Sequence, residues 1–277
     1  MKELAQFESF NALWRNHVES SEQLRMRDDQ AEREFWRKFM ARKTGYAPTP
    51  SSIQVVERFL LPQIRILGIE TVLEWGPGWG NYTIPLAQNC RRVDCVDISP
   101  DVLAFLEKIG REQGCQNIHT IQSKWEDYRS EERYDLVFGY NCFYRQVDLA
   151  ECLLRMNRAA KKLCVAGMSS GLAPIWVREL AQAGMPRSWE WKDYPYFAGV
   201  LYQMGIFANV TVFPYKHEYV YGDMETMLRE ECGRWAEEHR EQAEKILRRH
   251  FTQAEDGTWH GTAQYHSGLV WWAPVPM

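Results

Sequence analysis

The sequence predicts an α/β protein with a doubly wound, mainly parallel sheet of seven strands. Two observations support this fold class. Short apolar runs alternate with stretches of helical spacing between residues 71 and 167, and a glycine-rich turn follows the first apolar run. The 277 residues are enough for one such domain with additions. We expect those additions to be N-terminal helices and helical, aromatic-rich insertions.

Helical spacing marks residues 3 to about 43, in two apolar stripes that Ser20 or Ser21 separates as a cap. The first stripe contains Leu4, Phe7, Leu13, Trp14 and Val18, and the second contains Phe35, Trp36, Phe39 and Met40. Charges of both signs occupy the other faces, which predicts a solvated surface there. A linker over residues 44–50 follows, and Ser51 or Ser52 is expected to cap a helix that ends near Leu61.

The strands of the predicted sheet are short and separated by helices. We expect strands at Thr71–Glu74, Arg92–Asp97, Ile118–Gln122, Tyr134–Gly139, Lys162–Gly167, Val210–Phe213 and Leu269–Trp272. Helices are expected over residues 81–88, 100–108 and 148–160, with a helix or helix pair over 223–251. Phe197–Phe213 has the pattern of a helix followed by a strand. Ligands of such sheets bind at the carboxyl ends of the strands, so we expect Glu74, Asp97 and the residues after Gln122 and Gly139 to meet.

Composition and charge limit the classes of partner. A net charge of −4 and a pI near 6.0 give no footprint for nucleic acid, and no basic run or long apolar span points to a membrane. The N-terminus lacks the apolar region of a signal peptide. The seven cysteines have no C-x-x-C spacing, which favours reduced, buried thiols (Cys95, Cys152 and Cys164 among them) over a metal site or disulfides. These observations predict a cytoplasmic protein, and they leave its oligomeric state open.

The most informative stretch joins an acid to three glycines. The first strand ends at Glu74, and Gly76, Gly78 and Gly80 follow at every second position. Without Cβ atoms, the backbone can turn sharply there and approach a ligand closely. A helical pattern begins after Gly80, so the loop is expected to open onto the start of a helix. Asp97 ends the second strand at the distance from this loop at which a βαβ unit places a ribose-binding carboxylate.

Two features distinguish this loop from a dinucleotide fingerprint. Asn81 stands where G-x-G-x-x-G requires its third glycine, and Glu74 would repel a pyrophosphate. The stretch resembles the first motif of class I S-adenosylmethionine-dependent methyltransferases, Glu/Asp-x-Gly-x-Gly-x-Gly. Val96-Asp-Ile-Ser-Pro100 is similar to the second motif of that family. The resemblance covers about residues 50 to 170, and it implies a Rossmann-like fold, S-adenosylmethionine as cofactor and methyl transfer as the reaction.

The resemblance implies a set of cofactor-binding residues, with Asp97 accepting the ribose hydroxyls. They are Glu74, Trp75, Gly76, Gly78, Gly80, Asp97, Ile98, Lys124, Trp125, Glu126 and Asn141. Lys124 stands where the family often carries an acid for the adenine amino group. Either Glu126 or Asp127 replaces that acid, or Trp125 and backbone groups hold the ring. Asn141 is expected at the methionine part of the cofactor.

The residues that face the acceptor are less specific. Asn141-Cys-Phe-Tyr144 has the outline of the Asn-Pro-Pro-Tyr loop of enzymes that methylate nucleic-acid amino groups, without its prolines, so Tyr144 is expected simply to line the substrate cavity. Trp75, Trp79 or Tyr144 would steady the sulfonium, or they pack in the core or rim. His17, His217 (beside Glu218), His260 and His266 lie outside the nucleotide half, and none is assigned as a catalytic base. No metal is expected.

Three parts of the chain are predicted within one compact domain: an N-terminal helical cap (1–50), the cofactor-binding core (51–170), and the remaining strands with aromatic and helical insertions over the substrate (171–277). The predicted function is methyl transfer by in-line displacement to a small, aromatic or apolar acceptor, with no nucleic-acid or membrane partner. A non-catalytic cofactor-binding or scaffold protein of this fold and a nicotinamide-dependent oxidoreductase are the alternatives.

Overall fold

Eight strands form one sheet in the computed structural model, which describes residues 9–21, 23–130, 132–186 and 193–276. In chain order they are β1 (Thr71–Trp75), β2 (Arg92–Asp97), β3 (Ile118–Gln122), β4 (Tyr134–Tyr140), β5 (Ala160–Ser170), β6 (Asn209–Tyr221), β7 (Thr252–Gln253) and β8 (Trp259–Trp272). The strand order is β3-β2-β1-β4-β5-β8-β6, and the short β7 pairs with β8 antiparallel. The predicted fold class is therefore confirmed, with the two-residue β7 as an addition.

Parallel pairing brings the ends of the first five strands to one edge. β2 pairs with β1 and β3, and β4 pairs with β1 and β5, all in parallel. Trp75 is opposite Val96 on one side and Gly139 on the other. The segments that follow β1, β2, β3 and β4 therefore start side by side.

Eleven α-helices occur in the described part of the chain. They are α1 (Phe10–Glu19), α2 (Asp29–Met40), α3 (Pro50–Val55), α4 (Leu61–Leu67), α5 (Thr83–Asn89), α6 (Pro100–Glu112), α7 (Leu149–Ala159), α8 (Ile175–Gln182), α9 (Pro195–Gln203), α10 (Met224–Cys232) and α11 (Arg240–His250). A π-helical segment, Val56–Leu60, connects α3 to α4. Short 3-10 turns occur at Leu24–Met26, Phe143–Arg145 and Gly233–Trp235.

Alternating strand residues build a core on each face of the sheet. Val72 and Leu136 contribute to the cluster that includes side chains of α3, α4, α5 and α6. Leu73 and Val137 point the other way, into the cluster that includes side chains of α1, α7 and α9. Both faces of β1 and β4 are thus buried, as expected at the centre of a doubly wound sheet.

Local sequence explains most helix starts. Asp28, Thr49 and Ser99 accept hydrogen bonds from the amides of Ala31, Ser52 and Val102, at 2.7, 3.2 and 3.4 Å. Proline occupies the first turn of α3 and α6, where its missing N–H costs nothing.

Several boundaries differ from the sequence prediction. The cap of α3 is Thr49, not Ser51 or Ser52, because Pro50 already takes the first helical position. Asp28 caps α2, whereas Ser20 ends α1. α5 starts at Thr83, and β6 and β8 extend well beyond the predicted 210–213 and 269–272. Both strands carry exposed polar residues in the added part, so this part contains no continuous apolar run.

The described chain divides into two compact units. The first unit comprises Met1–Met168, Lys192–Phe213 and Ser267–Met277, and the second comprises Ser169–Trp191 and Pro214–His266. The second unit has its own apolar core, with Trp176, Met227 and Leu247 buried in it. The predicted divisions at residues 50 and 170 stay predictions. Leu4, Phe7 and the start of the first helix at residue 3 lie outside the described residues, as do Trp189 and Trp191.

Two features are absent from the described residues. None of the described helices combines the length and apolarity needed to cross a bilayer. Within the same residues, no group of three or more His, Cys, Asp and Glu side chains is arranged to hold a metal.

Candidate cofactor site

The glycine bend and Asp97 lie at neighbouring strand ends. The amide of Gly76, directly after β1, donates to the carbonyl oxygen of Val96 at 3.0 Å. On the other side of β2, the amide of Ser123 donates to the carbonyl oxygen of Asp97 at 3.1 Å. Backbone hydrogen bonds therefore fix the start of the bend one residue from Asp97, as the motif spacing predicted.

Glycine occupies the three positions of the bend for different physical reasons. All lie in the left-handed region, with φ of 54° at Gly76, 56° at Gly78 and 81° at Gly80. A Cβ atom on Gly76 would collide with the Cys142 side chain, and one on Gly80 would lie 2.5 Å from Cδ1 of Ile109. These two glycines permit close packing.

Gly78 differs from its two neighbours because it has room above it. The nearest atom to a Cβ on Gly78 would be Cη2 of Trp36, at 3.8 Å. Gly78 is therefore the least crowded of the three glycines, and only the Trp36 ring lies near it.

Two acids at the site are buried. Glu74 is 1% exposed and Asp97 is 7% exposed. Burial raises the pKa of each carboxyl group to about 7. The Asp97 Oδ1 atom accepts a hydrogen bond from the Ser99 amide at 2.8 Å, and the Cys95 thiol donates to Glu74 Oε2 at 3.8 Å. Few groups stabilise the charge of these carboxylates, so each is poised to gain from a ligand that donates hydrogen bonds.

Buried polar atoms without hydrogen-bond partners surround the bend. They are Nε1 of Trp75, Trp79 and Trp125, Oδ1 of Asn81 and Nε of Arg145. An unpaired buried donor or acceptor costs about 1–3 kcal/mol. All five belong to segments at the ends of β1, β3 and β4. This set of unsatisfied groups, beside the open backbone at Gly78, fits a polar ligand such as an adenosyl group with an amino-acid tail.

Lys124, Trp125 and Glu126 follow β3 and have separate surroundings. The Lys124 ammonium forms an ion pair with Asp29 Oδ2 at 3.0 Å. The Trp125 ring is half-buried against the Trp75 ring, whereas Glu126 and Asp127 are exposed. Of the two predicted ways to hold an adenine ring, this arrangement favours Trp125 and backbone groups.

Asn141 turns the chain after β4. It has φ of 53°, and Asn tolerates this left-handed conformation better than most residues. Its amide donates to the carbonyl oxygen of Gly167 at 2.9 Å, and its side chain is exposed. The turn directs Phe143 into the core and leads into Tyr144 and Arg145.

Cys142 lies in this turn, beside the two buried acids. Burial and the carboxylates of Asp97 and Glu74 raise the pKa of its thiol. The thiol therefore stays protonated, and Cys142 is a packing residue under the bend.

The N-terminal helix α2 contributes residues that sequence reasoning missed. Glu32 is 1% exposed, although the charged faces of this segment were predicted to be solvated. Its carboxylate accepts hydrogen bonds from Arg25 Nε and Trp36 Nε1, both at 2.8 Å, and from the Tyr144 hydroxyl. Asp29, Glu32 and Trp36 are three and four residues apart, so their common helix face was the available signal.

Charges from two elements face the Asp97 carboxyl group. Besides burial, the Glu32 carboxylate raises the pKa of Asp97 and the Arg145 guanidinium lowers it. Glu32 belongs to α2 and Arg145 follows β4, so both segments lie near the predicted ribose position. The candidate histidines are distributed differently: His17 is on α1 in the first unit, and His217, His260 and His266 belong to the second unit.

The known proteins that this chain resembles include methyltransferases and a related transferase. Residues 72–162 match the family model of a methyltransferase domain. A probable dimethyladenosine transferase from Dictyostelium discoideum is 37% identical over 49 residues. That match spans 18% of this chain and only 16% of the length of that curated relative.

Solved structures with a similar fold have low sequence identity. A methyltransferase from Thiobacillus denitrificans in complex with S-adenosyl-L-homocysteine is 15% identical, with a TM-score of 0.49, over 87% of this chain and 98% of that one. A magnesium protoporphyrin IX methyltransferase from Synechocystis with bound S-adenosyl-L-homocysteine is 12% identical, with a TM-score of 0.49, over 95% of this chain and 99% of that one.

The parallel sheet, with the bend and Asp97 at neighbouring strand ends, defines a Rossmann-like α/β protein. The match of residues 72–162 to the methyltransferase-domain model agrees with the family that the two motifs predict. It also agrees with the predicted enzyme class and S-adenosylmethionine cofactor.

Proposed function

We propose that this protein transfers a methyl group from S-adenosylmethionine to a small, aromatic or apolar acceptor. The observation that carries the proposal is the position of Asp97 beside the glycine bend, among buried polar groups that lack partners. When bound, S-adenosylmethionine supplies a methyl group on a positively charged sulfur, and in-line displacement needs alignment of the acceptor more than acid–base help.

Several of the predicted site residues have a role in this proposal. The Asp97 carboxylate accepts the ribose hydroxyls, and such charge-assisted bonds contribute about 1.5–3 kcal/mol each. The open backbone at Gly78 admits the amino-acid part, with Glu74 beneath the bend and Asn141 near the same part. Ile98 and Trp125 hold the adenine ring, and Lys124 is engaged by Asp29. Tyr144 faces the acceptor.

The nature of the acceptor follows from charge and composition. The net charge of −4 and the absence of basic runs disfavour a nucleic-acid acceptor. The segments that follow β1 and β4 carry partly buried aromatic side chains, among them Trp79 and Tyr144. Small-molecule pockets are mostly apolar with few polar anchors, which suits an aromatic or apolar acceptor.

The first test is titration calorimetry with S-adenosylmethionine. We expect binding to the wild-type chain and strongly weakened binding to Asp97→Ala, since the alanine removes both ribose acceptors. Asp127→Ala, an exposed acid, is the matched control and should bind as the wild type does. A wild-type chain that gives no heat with the cofactor at about millimolar concentration would refute the proposal.

A second test separates an enzyme from a non-catalytic cofactor-binding protein. The chain is incubated with S-adenosylmethionine labelled in its methyl group and with a pool of small aromatic and apolar metabolites. Label recovered in a metabolite supports methyl transfer. Binding of the cofactor without transfer to any member of the pool would instead support the scaffold alternative.

A further inference from the structure

Helix α2 lies across the candidate cofactor site. The Trp36 ring approaches Gly78, and the Phe39 ring lies 5.2 Å from the Trp79 ring of the glycine bend, measured between ring centroids. With the helix in this position Gly78 is buried and Asp97 is only 7% exposed. A ligand at the bend would therefore be enclosed, and its entry or exit requires this helix to move.

Two carboxylates on α2 tie it to the strand ends around the site. Asp29 binds Arg145, which follows β4, at 2.5 Å and Lys124, which follows β3, at 3.0 Å. Glu32, one turn further, accepts a hydrogen bond from the Tyr144 hydroxyl. The basic partners are partly buried, with 14% of the Arg145 side chain and 35% of the Lys124 side chain exposed.

On the opposite face, the ion pairs seen in the described part of the chain stay within the helix. Glu34 pairs with Arg37 at 2.7 Å and Lys38 at 3.2 Å, both within α2. The ion pairs that join α2 to other described elements thus come from the face that covers the site. Segments without α-helical structure flank the helix: the 3-10 turn Leu24–Met26 before it and residues 41–49 after it.

We propose that α2 is a cover that must open to admit the cofactor and then closes over it, with Asp29 as its principal latch and Glu32 as the second. The closed latch slows the release of the bound molecule. Asp29 is a positioning residue, since it acts through Lys124 and Arg145. This inference rests on the proposed function, because it requires an adenosyl ligand at the bend.

The test measures the dissociation rate of S-adenosyl-L-homocysteine, which has no methyl group to transfer. The labelled compound is bound to the full chain and displaced with an excess of unlabelled compound. We expect Asp29→Asn to release it about tenfold faster than the wild type, which corresponds to about 1.4 kcal/mol. Glu34→Gln, on the same helix, should release it at the wild-type rate.

Salt provides a readout that a purely structural role of Asp29 would not change. Ionic strength weakens partly exposed ion pairs, so raising it from about 0.05 to about 0.5 M should speed release from the wild type. The same change should affect Asp29→Asn much less. Amide hydrogen exchange within α2 should also slow when S-adenosyl-L-homocysteine binds to the wild type.

The outcomes separate this inference from the proposed function. Binding to the wild type with equal release rates in wild type, Asp29→Asn and Glu34→Gln would overturn the latch while leaving the cofactor site intact. No binding to the wild type would overturn both. If Glu32→Gln unfolds because Arg25 loses its buried partner, Asp29→Asn decides alone, because its side chain is 36% exposed.

Discussion

Replacing Asp97 with Asn should stabilise the ligand-free protein while it destroys the ribose contact. The carboxyl group is 7% exposed, and burial raises its pKa from 3.8 to about 7. The ionised group is therefore disfavoured in the folded protein relative to the unfolded chain. An asparagine keeps an oxygen that can accept from the Ser99 amide but carries no charge to bury.

The size and the sign of the effect follow from this pKa. A tenfold change in proton affinity corresponds to about 1.4 kcal/mol, so the ionised form costs about 4 kcal/mol of folding stability at high pH. The folded state holds its proton more tightly than the unfolded chain does. Stability therefore falls as pH rises between about 4 and about 7, and this loss is complete above the folded pKa.

Urea unfolding of the ligand-free chain at pH 5 and pH 8 measures the effect. We expect the advantage of Asp97→Asn over the wild type to grow by about 2–3 kcal/mol from pH 5 to pH 8. Asp127→Asn, at an exposed site, should show no such growth. If Asp97→Asn were no more stable than the wild type at pH 8, burial would not disfavour the ionised Asp97 carboxylate, and the raised pKa would be contradicted.

Three further predictions concern the pH dependence of cofactor affinity, the glycine bend and the second unit. Cofactor affinity in the wild type should increase as pH rises through about 7, since Asp97 must lose its proton to accept both ribose hydroxyls, and calorimetry of Asp97→Asn should show weak binding with little pH dependence. Gly80→Ala should destabilise the chain by about 2–3 kcal/mol, because its Cβ would lie 2.5 Å from Cδ1 of Ile109. Gly78→Ala should cost only the strain of a left-handed backbone, about 1–2 kcal/mol. Equal losses of stability in urea unfolding would contradict the assignment of space for a Cβ at Gly78. In the second unit, Glu231 is 5% exposed and accepts hydrogen bonds from Trp176 and Tyr221. Glu231→Ala should therefore lower the free energy of unfolding by about 2–4 kcal/mol, and Glu230→Ala, at an exposed site, by less than about 0.5 kcal/mol. Similar unfolding midpoints for the two variants would contradict a stabilising role of Glu231.

Sequence patterns located the parallel strands well, and three of them, β1, β2 and β4, are buried on both faces. Arg92–Asp97 and Ile118–Gln122 were predicted with the bounds that the structure has. β6 and β8 were predicted too short, since the added residues of β6 are mostly exposed and many of those of β8 alternate between buried and exposed. The added parts therefore lack the continuous apolar run that marks a buried strand.

The adjacency of the bend and Asp97 was predictable because both are local features of neighbouring strands. The role of α2 was not, since the contacts of Asp29 and Glu32 with Arg145 and Tyr144 join residues more than a hundred positions apart. Charge spacing on a single helix does not reveal which face meets another element. Trp75 illustrates the same limit: its aromatic side chain adjoins the glycine motif, yet it packs in the core against Phe143.

The most direct test of the central claim is the binding of S-adenosyl-L-homocysteine to matched wild-type, Asp97→Ala and Asp127→Ala chains by calorimetry. The structure predicts one site per chain, near-equal affinity for the wild type and Asp127→Ala, and at least tenfold weaker binding to Asp97→Ala. Equal affinity for all three chains would mean that the ligand lies away from the β1 and β2 ends, and it would contradict the site described above.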